Sequence, residues 1–333
     1  MKNVFKSVFV IIGTIIGAGF ASGKELYIFF FQYGFNGMVG IIITTILFTV
    51  VIYKTLSISN KKQIYNYNEL KINSQIKHTM STFLLISFYI MIAGFAAFVN
   101  QELNIPSIIG SILITSICYI TFIKGVNGII KANAILIPVL ILVLIHTCYK
   151  NVDIVMQKIN FFNINMQNAN SIFESSKWIL RALEYVGYNS IILIPILINI
   201  EKTNKKNGWI AIISGIIFFI MAIGIIILLY QANNSQILLE IPTINIVSQY
   251  GKIYKYIFQF IIAVSIYTSA ISAGYGFLQN EENNKAKYIK KTILILISAI
   301  FISVIGFTYL VEILYPLFGL LGIIQIIMIL KIK

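Results

Sequence analysis

A glycine-rich run interrupts the first apolar segment of the chain: Gly13-Thr-Ile-Ile-Gly17-Ala-Gly19-Phe-Ala-Ser-Gly23-Lys-Glu25. The segment extends from about Val4 to Phe31, which is long enough for a helix to cross the roughly 30 Å hydrocarbon core of a bilayer. Glycine is a poor helix former, so we expect the helix to break within the run. Because broken backbone at membrane depth needs partners from protein or from a water-filled cavity, the break predicts a buried solute or ion site.

Two other interpretations of this run stay open. Its glycines also have the GxxxG spacing of helix-packing motifs, in which glycine lets two backbones approach closely. Lys2 and Lys6 before an apolar stretch resemble the start of a signal peptide, although no small-x-small cleavage site follows. A phosphate-binding GxGxxG loop is excluded, because the third glycine is displaced and no strand precedes the run.

The composition of the whole chain is typical of an all-α polytopic membrane protein. Its 333 residues are 58% hydrophobic and 11% charged, with a mean hydropathy of +0.88, which excludes an ordinary soluble domain. The formal charge is +14, but the basic residues lie in short segments between apolar runs, without a nucleic-acid-binding motif. We therefore expect the lipid bilayer and a small-molecule solute as partners, and no nucleic acid.

The sequence shows no pattern of a metal cluster or of an enzyme. His78 and His146 lack a second ligand at helical spacing, and Cys118 and Cys148 lie inside apolar runs as small packing residues. His-Glu-x-x-His and Gly-x-Ser-x-Gly motifs do not occur, and Asp153 is the only aspartate. We therefore predict no catalytic residues, no organic cofactor and no enzyme activity. The oligomeric state stays open.

Ten apolar runs are long enough to be membrane spans. The stretch from Thr292 to Leu330 is too long for one span and is expected to fold back around Gly306 to Glu312. The chain is thus predicted to be one transporter domain over residues 1–333. The ten runs lie near Val4–Phe31, Phe35–Leu56, Met80–Leu103, Pro106–Phe122, Gly128–Tyr149, Ser175–Ile200, Trp209–Tyr230, Tyr254–Leu278, Lys291–Phe307 and Val311–Leu330.

The basic residues predict how the chain is oriented. With the N-terminus inside, the cytoplasmic segments hold 18 lysines and the external segments hold 5. Lysine and arginine are enriched in cytoplasmic loops, so both termini are predicted to be cytoplasmic in a bacterial cytoplasmic membrane. The external segment from Gln231 to Lys252 includes an amphipathic stretch, which dips into the membrane interface, caps a vestibule or forms a solvated loop.

Five ionisable residues lie inside spans, Lys24, Glu25, Arg181, Glu184 and Glu312, and the last four are candidates for gating or proton relay. Each costs about 2.5–3.5 kcal/mol at the bilayer centre on insertion scales, so each needs a partner or a function. Arg181 and Glu184 are three residues apart and can pair on one helical face. A self-neutralising pair and a gate are both compatible with this spacing.

The sixth span has its own cluster of glycine and polar residues, Glu184-Tyr-Val-Gly187-Tyr-Asn189-Ser190, followed by Pro195. A kink would account for Pro195 alone, but the cluster before it predicts a second unwound segment. Spans one and six each begin a set of five. Broken helices at matching positions of two halves indicate an inverted-repeat transporter, with repeats near residues 4–149 and 175–330.

The eighth span has a stripe of hydroxyl side chains. Ser265, Thr268, Ser269 and Ser272 recur at the spacing of one helical face. Such hydroxyls often bond back to their own helix, and that interpretation stays open. Oxygen donors facing an opened backbone also suit a small cation that sheds its water, and sodium is the ion we expect.

These residues resemble a family. Residues 13–25 together with Tyr-Thr-Ser-Ala-Ile-Ser at 267–272 are similar to the YkvI-like bacterial membrane proteins, within the amino acid–polyamine–organocation superfamily. The resemblance implies the LeuT-type fold, a 5+5 inverted repeat with broken helices 1 and 6. It implies a sodium site made by the carbonyls of Gly13, Ile16 and Ser265 and the side chains of Thr268 and Ser269. It also implies a substrate site with backbone N–H groups of Gly17, Ala18 and Gly19, completed by Tyr185, Gly187, Tyr188 and Asn189.

The favoured function is secondary transport of a small organic solute, an amino acid or related compound, by sodium symport and alternating access. Proton-coupled transport is one alternative. The other is a membrane receptor that binds a solute without moving it.

Overall fold

The computed structural model describes residues 2–63, 74–124, 138–139, 142, 146, 172–199, 206–232, 234–237, 239–278 and 285–331. Within these ranges the chain is helical and contains no β-strand, as predicted. The helices are α1 (Lys2–Ile15), α2 (Ala18–Ala21), α3 (Lys24–Phe29), α4 (Gly34–Lys62), α5 (Ser74–Leu103), α6 (Ser107–Lys124), α7 (Ile172–Asn199), α8 (Asn207–Gln231), α9 (Asn234–Ile237), α10 (Pro242–Ser248), α11 (Lys252–Leu278), α12 (Lys285–Ser303) and α13 (Phe307–Leu330), with a turn of 3-10 helix at Phe31–Tyr33.

The described chain is that of a multi-pass membrane protein. Six helical segments are long and apolar enough to cross a membrane, and α1 and α6 are shorter apolar helices. Large apolar side chains lie exposed on their outer faces, among them Ile120, Ile216 and Phe301. A soluble protein rarely exposes so much apolar surface, whereas lipid tails cover it in a membrane. The predicted fifth span, Gly128–Tyr149, lies almost wholly outside the described residues.

The predicted break in the first span is confirmed. Helix α1 ends at Ile15, and Gly17 is in an extended conformation with φ −93° and ψ −168°. After the single turn of α2, Gly23 takes a left-handed conformation with φ +81°, which only glycine adopts without strain. The segment is thus interrupted twice before α3 and α4 continue it.

The predicted break in the sixth span is wrong. Helix α7 runs without interruption from Ile172 to Asn199, through the glycine and polar cluster. A Cβ atom on Gly187 would overlap the carbonyl oxygen of Gly319 on α13, so this glycine lets two backbones approach closely. The Asn189 side chain donates to the Tyr185 carbonyl at 3.0 Å, within the same helix. Gly187 therefore serves helix packing, the interpretation considered only for the first span.

The predicted fold-back near the C-terminal end of the chain is confirmed. Helix α12 ends at Ser303, and Gly306 has φ +98° immediately before α13 begins. The carboxylate of Glu240 accepts hydrogen bonds from the backbone N–H of Thr308 at 2.8 Å and from its hydroxyl at 2.9 Å. It thereby caps the N-terminus of α13, where free N–H groups favour an anion.

The broken first span lies inside the bundle. Helix α1 contacts α7, α8 and α11, and the short α2 contacts α5 and α11. All four residues of α2 are buried. The break is therefore surrounded by protein, as broken backbone in a membrane requires.

Candidate solute and ion site

The break exposes peptide groups of the first span to its neighbours. The N–H of Gly17 donates to the Ile15 carbonyl at 3.1 Å, instead of to the Gly13 carbonyl four residues earlier. The Gly13 oxygen thereby loses its helical donor. The N–H groups of Ala18 and Gly19 lie in the first turn of α2, where no preceding helical carbonyl is available to them.

Helix α11 faces this break through Ser269. A Cβ atom on Gly17 would lie 3.4 Å from the Ser269 Oγ, so the two segments are nearly in contact. The Ser269 Oγ is buried and has no hydrogen-bond partner among the described residues. An unpartnered buried hydroxyl is costly in an apolar surrounding, so its position beside the freed backbone indicates a place for a ligand.

Other hydroxyls of the α11 stripe bond to their own helix. Thr268 donates to the Ser265 carbonyl at 3.1 Å, and Ser272 donates to the Thr268 carbonyl at 2.8 Å. For these two residues, the alternative that the hydroxyls bond to their own helix is therefore correct. Of the implied sodium ligands, Gly13 and Ser269 line one cavity together, whereas Ile16, Ser265 and Thr268 do not reach its wall.

The cavity lies between the broken span and helices α5, α7, α11 and α13, and has a volume of about 30 Å³. That volume accommodates about two water molecules. Sequence reasoning missed three of its lining residues, Ser87 and Met91 on α5 and Tyr315 on α13, because each is an ordinary residue of an apolar helix. The predicted residues that the cavity brings together are Gly13, Gly17, Glu25, Tyr188, Asn189 and Ser269.

The remaining predicted substrate residues lie close to the cavity without lining it. Tyr185 is buried in an aromatic cluster, with its ring centroid 5.0 Å from that of Phe30 and 5.3 Å from that of Tyr188. Gly187 packs against α13. Gly19 packs against the Glu25 side chain, and a Cβ atom there would overlap the carboxylate.

Glu25 is the ionisable residue that reaches the cavity wall. It is 3% exposed, and its Oε2 accepts a hydrogen bond of 2.7 Å from the Tyr188 hydroxyl. In the described part of the chain, neither lysine nor arginine forms an ion pair with it. Because a buried carboxylate without a countercharge is expensive, Glu25 is a strong candidate for a functional group.

The other charged candidates face elsewhere. The Lys24 ammonium donates to the Leu239 carbonyl at 3.2 Å and interacts electrostatically with Glu240 and Glu312. Glu312 is exposed. Arg181 and Glu184 form the local pair that their spacing predicted, with 3.0 Å between guanidinium nitrogen and carboxylate oxygen.

Helix α10 covers the broken span at the end of α2. The Thr243 hydroxyl donates to the Ala21 carbonyl at 2.9 Å, and the Thr243 N–H donates to the Ser22 carbonyl at 3.2 Å. The Gln101 side chain exchanges two hydrogen bonds of 3.0 Å with the backbone of Ile241. The part of the segment that forms α10 is therefore buried against the broken span and is not a solvated loop, whereas the vestibule and the external position of the segment stay predictions.

No protein-family model matches the chain. The chain is 28% identical over 328 residues to the membrane protein YkvI of Bacillus subtilis (strain 168), an alignment that covers 93% of this chain and 90% of YkvI. It is 26% identical over 335 residues to YyaD of the same organism, covering 95% and 93% of the two chains. The chain is thus similar to two bacterial proteins over nearly their whole lengths.

The fold is shared with solved membrane transporters. A Na⁺-coupled sialic acid symporter superposes with a TM-score of 0.61 and 14% identity, over 99% of this chain and 79% of the symporter. A manganese transporter of Eremococcus coleocola gives a TM-score of 0.50 and 11% identity, over 98% of this chain and 70% of the transporter. At these identities the likeness describes the fold, and neither of these two neighbours is an enzyme.

Proposed function

We propose that this protein is a secondary active transporter that moves a small organic solute, an amino acid or related compound, by sodium symport and alternating access. The observation that carries the proposal is the break at Gly17, which opens onto a small cavity between the helices, opposite Ser269. The fold shared with a Na⁺-coupled symporter supports the same assignment. The residues of the break also support placing the chain in the amino acid–polyamine–organocation superfamily.

The solute is proposed to lie against the break. The N–H groups of Ala18 and Gly19, which have no preceding helical carbonyl, are proposed to donate to the carboxylate of the solute, and the Gly17 N–H would join them on leaving the Ile15 carbonyl. Tyr188 and Asn189 supply polar side chains from α7. A cavity of about 30 Å³ is too small for an amino acid, so α1 and α7 must separate to admit one. Alternating access requires a state with a closed site of this kind between the outward-open state and the inward-open state.

Sodium is proposed to bind beside the solute. The Gly13 carbonyl has lost its helical donor, and the Ser269 hydroxyl has no partner among the described residues. The carbonyls of Ile16 and Ser265 and the Thr268 hydroxyl would complete the shell. Two of these oxygens already lie side by side, because the Thr268 hydroxyl donates to the Ser265 carbonyl at 3.1 Å within α11.

Uptake into proteoliposomes tests the coupling ion. With a mixture of radiolabelled amino acids outside, an inward sodium gradient should drive accumulation, and Ser269→Ala should reduce it at least about tenfold through loss of one ligand. Ser116→Ala is the matched control, since Ser116 lies exposed on α6 and bonds back to Ile112 at 2.7 Å. Equal loss in both variants, or accumulation indifferent to sodium, would contradict the sodium site.

Proton coupling is the second candidate, because Glu25 places a carboxyl group in the cavity wall. In that case a pH step, rather than a sodium gradient, would drive accumulation, and Glu25→Gln would abolish it. The same vesicles distinguish the two ions.

A further inference from the structure

We infer that Glu25 is the binding site for an ammonium group of the cargo, so that the cargo belongs to the amine-bearing solutes and excludes acids without an amine. The inference rests on the proposed function and names the substrate class of the same cavity. Its basis is a carboxylate that lines the cavity, is 3% exposed and has the Tyr188 hydroxyl as its hydrogen-bond donor.

Among the described residues no cationic side chain pairs with Glu25. Its sequence neighbour Lys24 extends the other way, to the Leu239 carbonyl. Arg181 is paired with Glu184 at 3.0 Å. Hydroxyl donors such as Tyr188 are weak compensation for a buried carboxylate, so a cation that enters the cavity supplies a countercharge.

The surrounding acceptors match an ammonium group, which has three N–H donors to satisfy. Besides Glu25, the cavity wall contains the hydroxyl oxygen of Ser87, which is buried and without a partner among the described residues. The wall also includes Gly13 and Ser269, whose oxygens are proposed for sodium and are not needed here. The carboxylate of Glu25 and the Ser87 hydroxyl thus remain as acceptors for the ammonium group.

Aromatic rings complete a wall suited to a cation. The rings of Tyr188 and Tyr315 are stacked with centroids 4.4 Å apart, and both residues line the cavity. Aromatic rings attract alkylammonium ions, most strongly where water is excluded.

Two other ligand classes fit less well. The described residues contain no group of three or more His, Cys, Asp or Glu that would hold a transition-metal ion. An acid without an amine would bring a second negative charge near Glu25, whose carboxylate lies against Gly19 in the short helix α2. An amino acid avoids this repulsion, because its ammonium group neutralises Glu25 while its carboxylate reaches the N–H groups.

Ligand binding to the purified full-length protein tests the inference. In a constant sodium background, methylammonium chloride should raise the melting temperature in a saturable manner, whereas potassium acetate should not. Glu25→Gln should weaken methylammonium binding at least about tenfold, because it removes the charge and keeps the shape. Glu25→Asp should retain part of the affinity. The control variant Glu240→Gln loses a carboxylate that lies outside the cavity, and it should bind methylammonium as tightly as the wild type does.

Several outcomes would overturn the inference: equal stabilisation by acetate and methylammonium, no stabilisation by methylammonium, or unchanged methylammonium affinity in Glu25→Gln. A Glu25→Gln protein that accumulates amino acids with wild-type affinity would leave the transport function intact and end the ammonium assignment. Conversely, amine binding that depends on Glu25 without any uptake into liposomes would support the ammonium site and contradict transport.

Discussion

At the scale of single residues, the site depends on contacts that leave no room for an added atom. Gly19 lies so close to Glu25 that a side chain at residue 19 would overlap the carboxylate in its present position. The Tyr188 hydroxyl holds the same carboxylate from the other side at 2.7 Å. The position of Glu25 is therefore set by a backbone contact and a hydrogen bond, and not by an ion pair.

Gly19→Ala is expected to displace the Glu25 carboxylate and to abolish at least about nine-tenths of solute uptake, because overpacking forces neighbouring side chains to move. Uptake into proteoliposomes measures the effect. Gly208→Ala in α8 is the control, since a Cβ atom there meets nothing within 4 Å. Wild-type uptake by Gly19→Ala would show that the position of Glu25 is not essential.

At the scale of helices, α7 and α13 form the most extensive helix pair of the described structure. Their contact is built on glycines, because a Cβ atom on Gly187 would overlap the Gly319 carbonyl and one on Gly322 would overlap the Gly187 carbonyl. Close backbone packing of this kind is the main source of helix association in membranes.

Gly187→Ala is expected to force α7 and α13 apart and to destabilise the protein by about 1–3 kcal/mol, the usual cost of overpacking. The melting temperature of the purified protein measures this loss, again with Gly208→Ala as the control. An unchanged melting temperature would mean that the two backbones are not in close contact.

The cap formed by α10 permits a second test at this scale. Thr243→Val keeps the shape of the side chain but removes the hydrogen bond of 2.9 Å to the Ala21 carbonyl. A buried acceptor left without a partner costs about 1–3 kcal/mol, so the melting temperature should fall. Thr82→Val is the control, because Thr82 is exposed and bonds within α5 at 3.0 Å. Equal effects of the two variants would contradict the cap.

These helices also show what the sequence predicts and what it does not. The break at Gly17 is predictable, because its cause is local: several glycines occur within one apolar span. The unbroken α7 is not, because Gly187 packs against residues about 130 positions later in the chain. Ser87, Met91 and Tyr315 were missed for the same reason, since only the tertiary fold brings them to the cavity.

At the scale of the whole molecule, the lysine distribution supports a proposal for topology with both termini in the cytoplasm. Lys62 at the end of α4 and Lys252 at the start of α11 are exposed and belong to opposite sides in this arrangement. Between them lie α5, α6, α7 and α8, together with the predicted span near residues 128–149. Five spans place the two lysines on opposite sides of the membrane, whereas four would place them on the same side.

Single-cysteine labelling on intact cells distinguishes these arrangements. After Cys118→Ser and Cys148→Ser, a membrane-impermeant maleimide should label Lys252→Cys and should label Lys62→Cys only after the membrane is permeabilised. Labelling of both positions from outside, or of neither, would show that an even number of spans separates the two lysines. The predicted fifth span near residues 128–149 would then be wrong, and so would the division into two repeats of five spans. Labelling of Lys62→Cys alone would keep the five spans and reverse the orientation, which would leave the excess of lysines outside, against the usual enrichment of positive charge in the cytoplasm.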